Sequence, residues 1–364
     1  MRFVRIMAMA CIGMLAFNAG AQQTKLLTAD KHNEYGLVYT LPVTSLEIEV
    51  TARRTVKKAG PYFQYAKKFI GTDKVIKEDT ESWTITGVRV SPYGVPDSDN
   101  RYLMQLKSGA VTYICVDENG MLLSINKETQ APSSPLYGGQ DESAAESGEK
   151  IKINEYLQYV NEDFIASQSS AKQAQMLAEN LMEIREAKIA LTRGTAETMP
   201  QDGKQLELML NSLTHQEAAL TAAFAGVTET ETITHRYTYT PSADGREVLF
   251  RMSDFAGFVG ADDYSGDPVY ITVKVTNRGE LPVDAKGEEK KLPKDAVIYN
   301  VPGAAVVTLS TLGKTLYEQE MEFSQFGVRF GLAPALFSAK KNRSYATFNP
   351  VTGALSEIGE DGAE

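Results

Sequence analysis

Between residues 169 and 226 the apolar period of this chain changes from two to about three and a half, and the rest of the chain must be fitted around that change. In the first segment Ala174, Leu177, Leu181 and Ile184 step alternately by three and four, and Leu191 resumes the series after Lys188. Leu206, Leu210, Leu213, Leu220 and Phe224 form the matching stripe of the second segment, which Glu217 interrupts. Such steps put side chains on one narrow helical face of coiled-coil type. Gly194 suits a helix end and Pro200 forbids simple continuation, so "TAETMPQDG" turns the chain. The spacing predicts two helices of roughly 23 residues, each about 35 Å long. They are expected to close on one another as a long antiparallel hairpin, 169–226, along a seam of Leu177, Leu181, Ile184, Leu191, Leu206, Leu210, Leu213 and Leu220. The outer faces carry Glu, Lys, Arg and Gln, which fits an interaction arm standing partly clear of the rest. A packing layer across a sheet is the other reading of the same pattern.

The flanks alternate as β-strands do. Leu46, Ile48, Val50 and Ala52 fall on one face, with Glu47, Glu49, Thr51 and Arg53 on the other. "ESWTITGVRV" alternates, slips at Gly87 and resumes, which predicts a bulge. "VTYICVDENGMLLSI" is a hairpin signal, because Asn119-Gly120 supplies the positive φ of a tight turn. "SYATFNPVTGALSEI" near the end repeats that pattern of strand, Asn-containing turn with Gly, and strand. The expected fold class is mainly β with α (α+β): two β-rich domains of β-sandwich type, 35–127 and 228–358, bracketing the hairpin. Residues 128–150, rich in Pro, Gly, Ser and acid, read as a linker or long loop.

The N-terminus "MRFVRIMAMACIGMLAFNAGAQQ" has two arginines, an apolar run and an Ala19-x-Ala21 pattern. That is the form of a signal peptide, 1–21, with cleavage before Gln22. The apolar run falls short of the about 20 residues a membrane span requires, so no transmembrane anchor is expected. The predicted location is exported, in the periplasm or at the cell surface.

Loss of Arg2 and Arg5 takes the formal charge from −10 to −12. That balance disfavours a sequence-independent nucleic-acid binder, which needs a basic surface to displace counterions. With Cys11 in the leader, Cys115 stands alone and no intramolecular disulfide can form. Its strand setting, "VTYICV", reads as a buried small apolar residue.

Four places carry residues of chemical interest. Asp262, Asp263 and Asp267 around Ser265-Gly266 offer oxygen ligands of the kind Ca²⁺ takes, and Asp97, Asp99 and Asn100 form a second oxygen-rich turn. Neither has the twelve-residue calcium-loop pattern, and Asx-type turns are the favoured reading of both. Tyr62, Phe63 and Tyr65 in "GPYFQYAKKFIG" are weighed as a sugar-binding platform against packing over a sheet end. His215 lacks the Glu-x-x-His spacing of a di-metal bundle and reads as a solvated or capping residue. No G-x-S-x-G elbow, phosphate loop, dinucleotide fingerprint or zinc cluster occurs, and no cofactor is expected.

At "EIREAKIALTRGTAETMPQDGKQLELMLNSLTHQEAALTAAFAG", followed by "HRYTYTP" and "FAGFVGADDYSGDPVYI", the chain resembles an uncharacterised family of exported Bacteroidetes proteins, domain of unknown function 4831. "GLVYTLPVTSLEIEV" and "GPYFQYAKKFIG" carry the same likeness. The resemblance implies an envelope-facing location and a fold, and assigns no catalytic residues. The expected function is a non-enzymatic binding or assembly component of the cell envelope, whose partner is an unknown envelope protein or a second copy. The alternative is a glycan- or peptide-acting hydrolase with carboxylates in an inter-domain cleft.

Overall fold

The computed structural model describes residues 23–26, 36–105, 113–130, 142–145, 151–200, 202–337 and 343–361. The leader reading, His32 and most of the 128–150 linker lie outside them. The first half contains β1 (Gln23–Leu26), β2 (Leu37–Lys58), α1 (Ala66–Phe69), β3 (Thr80–Gln105), β4 (Ile114–Val116), β5 (Leu122–Ile125) and β6 (Glu142–Ala145). Three helices follow: α2 (Glu162–Ala166), α3 (Ser170–Arg193) and α4 (Gly203–Ala225). The chain then forms β7 (Val227–Tyr239), β8 (Gly245–Ser253), β9 (Gly257–Val259) and β10 (Asp267–Asn277). It ends with β11 (Val297–Thr311), β12 (Lys314–Leu332), β13 (Arg343–Phe348) and β14 (Leu355–Asp361).

These strands make three antiparallel sheets in the orders β1-β3-β2-β7-β6, β12-β11-β10-β8-β9 and β14-β13-β5-β4. The arrangement corrects the expectation of two β-rich domains bracketing a long antiparallel helical hairpin. β7 lies beyond the helices in sequence, yet it pairs with β2 from Leu46↔Tyr239 to Lys58↔Val227. β13 likewise pairs with β5. Strands from both flanks therefore share sheets, and the fold is mostly β, 48% strand and 23% helical. Part of the expected linker, β6, is the edge strand beside β7.

The alternation of β2 explains the first core. Leu46, Ile48, Val50 and Ala52 are fully buried, and the first three face Phe250, Val269, Ile271, Val307, Leu309 and Phe323 of the second sheet. Burying each large aliphatic side chain contributes about 1.5–3 kcal/mol. The slip at Gly87 is present, as Thr51 pairs with Gly87 and Ala52 with Ile85. On the outer face Arg236 Nε lies 2.9 Å from Glu49.

The long strands bend where proline removes a ladder donor. Register shifts fall between Thr40 and Pro42 in β2, and between Val301 and Gly303, around Pro302, in β11. Beyond these bends the strands enter a second core of Tyr39, Leu41, Met104, Ile125, Val297, Phe337 and Phe348, closed by the third sheet. A buried polar belt ties the bends together. Asn300 Nδ2 donates to the carbonyls of Pro42 (3.1 Å) and Thr352 (2.8 Å), and Thr44 N donates to Ser324 Oγ (3.0 Å).

The two halves of the β structure repeat one plan. A long hairpin, β2–β3 or β11–β12, is followed by a short one, β4–β5 or β13–β14, and the short hairpins join through β5 and β13. Thr40 N donates to Gly120 O (2.8 Å) in one half, and Asn300 N donates to Gly353 O (3.1 Å) in the other. The sequences at these points are Tyr39-Thr40-Leu41-Pro42 and Tyr299-Asn300-Val301-Pro302.

A third core lies at the far end of β2. Gly60 sits where a Cβ would come within 2.5 Å of Ala223 O, so β2 runs directly onto the end of α4. Around Tyr62 gather Tyr156, Phe164, Leu177, Leu181, Leu220 and Phe224. Asn161, Ser169 and Asp202 cap the starts of α2, α3 and α4, and Gly194, at φ 71°, ends α3. Burial along the seam of α3 and α4 is uneven. Leu177, Leu181, Ile184, Leu191 and Leu220 are buried, whereas Leu206, Leu210 and Leu213 are half-buried. The helices form a layer with the segments around them at the end of the first sheet.

Candidate functional site

Among the described residues, two places that combine shape with polar chemistry stand out. The first is a cavity of about 370 Å³ between α3 and residues 159–164. Tyr159, Val160, Phe164, Met176 and Leu177 supply apolar walls, while Asn161, Asn180, Glu179 and Glu183 supply polar ones. The wall is fixed locally: Asn161 Oδ1 accepts the Phe164 N–H (2.9 Å) and Asn180 Nδ2 donates to Tyr159 O (2.7 Å). Gln175 Nε2 donates to Glu179 Oε1 (2.9 Å).

The second is an aromatic corner of the second sheet. Ser253 Oγ accepts the N–H groups of Phe255 (3.4 Å) and Ala256 (3.3 Å), tightening the turn between β8 and β9. This turn holds up Phe255, 81% exposed. Gly257, at φ +72°, brings the turn against Trp83, where a Cβ would lie 2.8 Å from the indole ring. Beside it, Arg251 donates to Ala261 O (2.8 Å) and Gly266 O (3.2 Å). The same guanidinium lies 4.5 Å from the centre of the Tyr264 ring, which is 84% exposed. Trp83 packs edge-on to Phe258, and His235 stacks on Tyr237 behind it. On the far side of Trp83, Arg54 binds Glu81 (2.7 Å) and reaches Glu231 (3.6 Å), and it holds the Glu81 carboxyl below the usual carboxylate range. The buried Trp83 indole N–H faces the same Glu81 carboxylate, which it also helps to hold low.

The residues singled out in the sequence are distributed otherwise. Asp263 accepts the Ser265 N–H (2.9 Å), an Asx turn, and Asp267 opens β10 opposite Met252. Among the described residues no three His, Cys, Asp or Glu side chains gather as a metal site, so Asp262, Asp263 and Asp267 do not converge on an ion. Asp97 accepts the Asp99 N–H (3.0 Å) in a second Asx turn. Tyr62 is buried, its ring set among Tyr156, Phe164 and Phe224, and Phe63 and Tyr65 are half-buried. A flat sugar platform is not formed, because Tyr62 serves the third core. His215 is neither solvated nor a cap: its Nε2 lies 2.5 Å from Glu155 Oε1, tying α4 to the segment before α2. Cys115 is half-buried and its thiol donates to Lys127 O (3.4 Å). No helix among the described residues is long and apolar enough to cross a membrane.

The family described as Domain of unknown function (DUF4831) matches residues 35–356, from just before β2 into β14. The chain belongs to this family. The DUF4831 match takes in the helical layer, the cavity and the aromatic corner alike, so both sites lie within the family's own unit. No curated protein and no solved structure matches the chain.

Sequence reasoning passed over Phe255 and Tyr264, although the signal was present. In "DFAGFVGADDYSGDP" bulky rings stand between Gly and Asp turn formers, where a side chain has little to pack against.

Proposed function

We propose that the protein is an exported, non-enzymatic binding or assembly component of the cell envelope, acting in the periplasm or at the cell surface through its aromatic corner. The observation that carries this reading is the pair Phe255 and Tyr264, two rings more than 80% exposed on tight turns of one corner. Single exposed apolar residues are ordinary on protein surfaces. A turn braced at its backbone by Ser253 and Gly257, and a Tyr264 ring resting on Arg251, are a different case, because less freedom is left to lose on contact. Aromatic anchors of this kind dominate contact energetics where they are covered by a partner. The leader pattern supports export, and the acidic balance directs the reading away from nucleic acid.

The test is crosslinking of the mature chain in the envelope fraction of its native host, with wild type and F255A/Y264A compared. The expected result is a defined partner, or a second copy, that the double variant loses while its Tm stays unchanged. The same partners recovered with the variant contradict the reading. Turnover of a polysaccharide or peptide by the purified chain would favour the hydrolase alternative.

A further inference from the structure

We propose that copies of this chain join head to tail, the aromatic corner of one seated on the lysine segment 290–294 of the next. The inference rests on the corner being a contact surface, and it names what covers it.

The corner is acidic as well as aromatic. Asp254 stands in the turn that presents Phe255, and Asp262, Asp263 and Asp267 flank Tyr264. All four are exposed. Arg251, the cation of this corner, is spent on the carbonyls of Ala261 and Gly266 and on the Tyr264 ring. A partner of matching charge brings cations around an apolar centre.

The chain carries that arrangement itself, between β10 and β11. Lys290, Lys291 and Lys294 are exposed around Leu292, which is 56% exposed, with no acid among them. Val283, also 56% exposed, stands beside them through its bridge to Glu289. The segment is fixed in place. Lys290 N donates to Pro282 O (2.8 Å), and Leu292 Cδ1 lies where a Cβ on Gly331 would come within 3.1 Å. Asp284 is spent on its own turn, accepting the N–H groups of Lys286 (2.8 Å) and Glu288 (3.0 Å). Among the described residues Asp254, Asp262, Asp267 and the three lysines are in no ion pair. Lys67 and Lys68 form another exposed pair, but Phe69 beside them is half-buried, with Lys68 Nζ over its ring at 4.9 Å. No bare apolar centre is offered there.

The two patches lie at opposite ends of the second sheet. β11 starts at Val297, just after the lysine segment, and its Thr311 pairs with Val269, just after Asp267. Its 15 residues would span about 50 Å if straight. One copy therefore cannot close its own two patches on each other. Unlike surfaces that meet between copies make a heterologous contact, which repeats as a ring or a filament.

Sedimentation of the full mature chain over a concentration series should show species larger than one copy, fewer of them at high ionic strength. K290E/K291E/K294E and D254K/D262K should each lower the association constant at least tenfold. An equimolar mixture of these two variants should recover association, because each supplies the charge that the other has reversed. Loss of folding would not be restored by mixing. K67E/K68E, a charge reversal at the other lysine pair, should leave association unchanged. All of these side chains are exposed, so each variant should keep its Tm. A photoreactive phenylalanine at position 264 should crosslink to residues 282–294 of a second, isotopically labelled copy. A chain that stays monomeric at every concentration overturns the inference. So does association that is unchanged in both charge variants, or that mixing fails to recover. If the chain is monomeric while F255A/Y264A still loses an envelope partner, the corner remains a contact surface and its occupant is another protein.

Discussion

Lys188 Nζ of α3 lies 2.7 Å from the Glu217 carboxylate of α4, and Arg185 Nε holds the other oxygen at 2.8 Å. In the sequence Lys188 and Glu217 are the two interruptions of otherwise apolar stripes. In the fold each is the other's partner, so the two interruptions of the seam answer one another as a charge pair. Burial works against the Glu217 charge, but the two cations outweigh it and hold the carboxyl below the usual glutamate value. E217Q should cost about 1 kcal/mol at neutral pH, since the pair is only partly shielded from water. A carboxyl lowered in the folded state contributes stability above its unfolded pKa of about 4.3. That stability is lost as pH falls through the folded value. Thermal unfolding at pH 7 and pH 3 should therefore show the gap between wild type and E217Q closing in acid.

Two glycines of similar backbone should differ in cost. Gly257 (φ +72°) and Gly194 (φ +71°) both occupy the left-handed region, but only at Gly257 would a Cβ meet a ring, that of Trp83. G194A should cost about 1–2 kcal/mol from the backbone alone. G257A should cost more and should also shift the fluorescence of Trp83, the single tryptophan of the chain. Equal Tm losses for the two variants would argue that the turn does not rest on the indole.

Asn300, buried between the two long hairpins, serves the carbonyls of Pro42 and Thr352 at once. N300A leaves both without that donor and should cost about 1–3 kcal/mol. Denaturant unfolding with an unchanged slope and a lower midpoint is the expected result.

The local features of this fold were largely legible. The alternation of Leu46, Ile48, Val50 and Ala52 identified the buried face of β2, and Asn119-Gly120 marked a turn in which Gly120 has φ 80°. Gly194 ended its helix as expected. Periodicity says which face of a strand is buried but not which strand lies beside it. The pairing of Val50 with His235, across the entire helical segment, was therefore invisible, and two domains were expected where sheets are shared. Tyr62 shows the same limit, because its covering residues, Tyr156, Phe164 and Phe224, are distant in sequence. At the aromatic corner the acidic run marked Asp262 and Asp263 as ligand candidates, whereas Asp263 shapes the loop that presents Tyr264.

Shared sheets have a direct consequence for fragments. The spans 35–127 and 228–358, produced separately, should each lack a cooperative thermal transition and near-UV circular dichroism. Either would expose the face that the other covers, Leu46, Ile48 and Val50 against Val269, Ile271 and Val307. A fragment that melts cooperatively on its own would restore the picture of two domains.

The aromatic corner as a contact surface is tested most directly by Trp83 itself, which packs behind the Phe255 turn. Its fluorescence should be followed while the purified chain is titrated with the solubilised envelope fraction. A partner covering Phe255 and Tyr264 should produce a saturable shift that F255A/Y264A lacks. No shift, or the same shift in the variant, would contradict the claim.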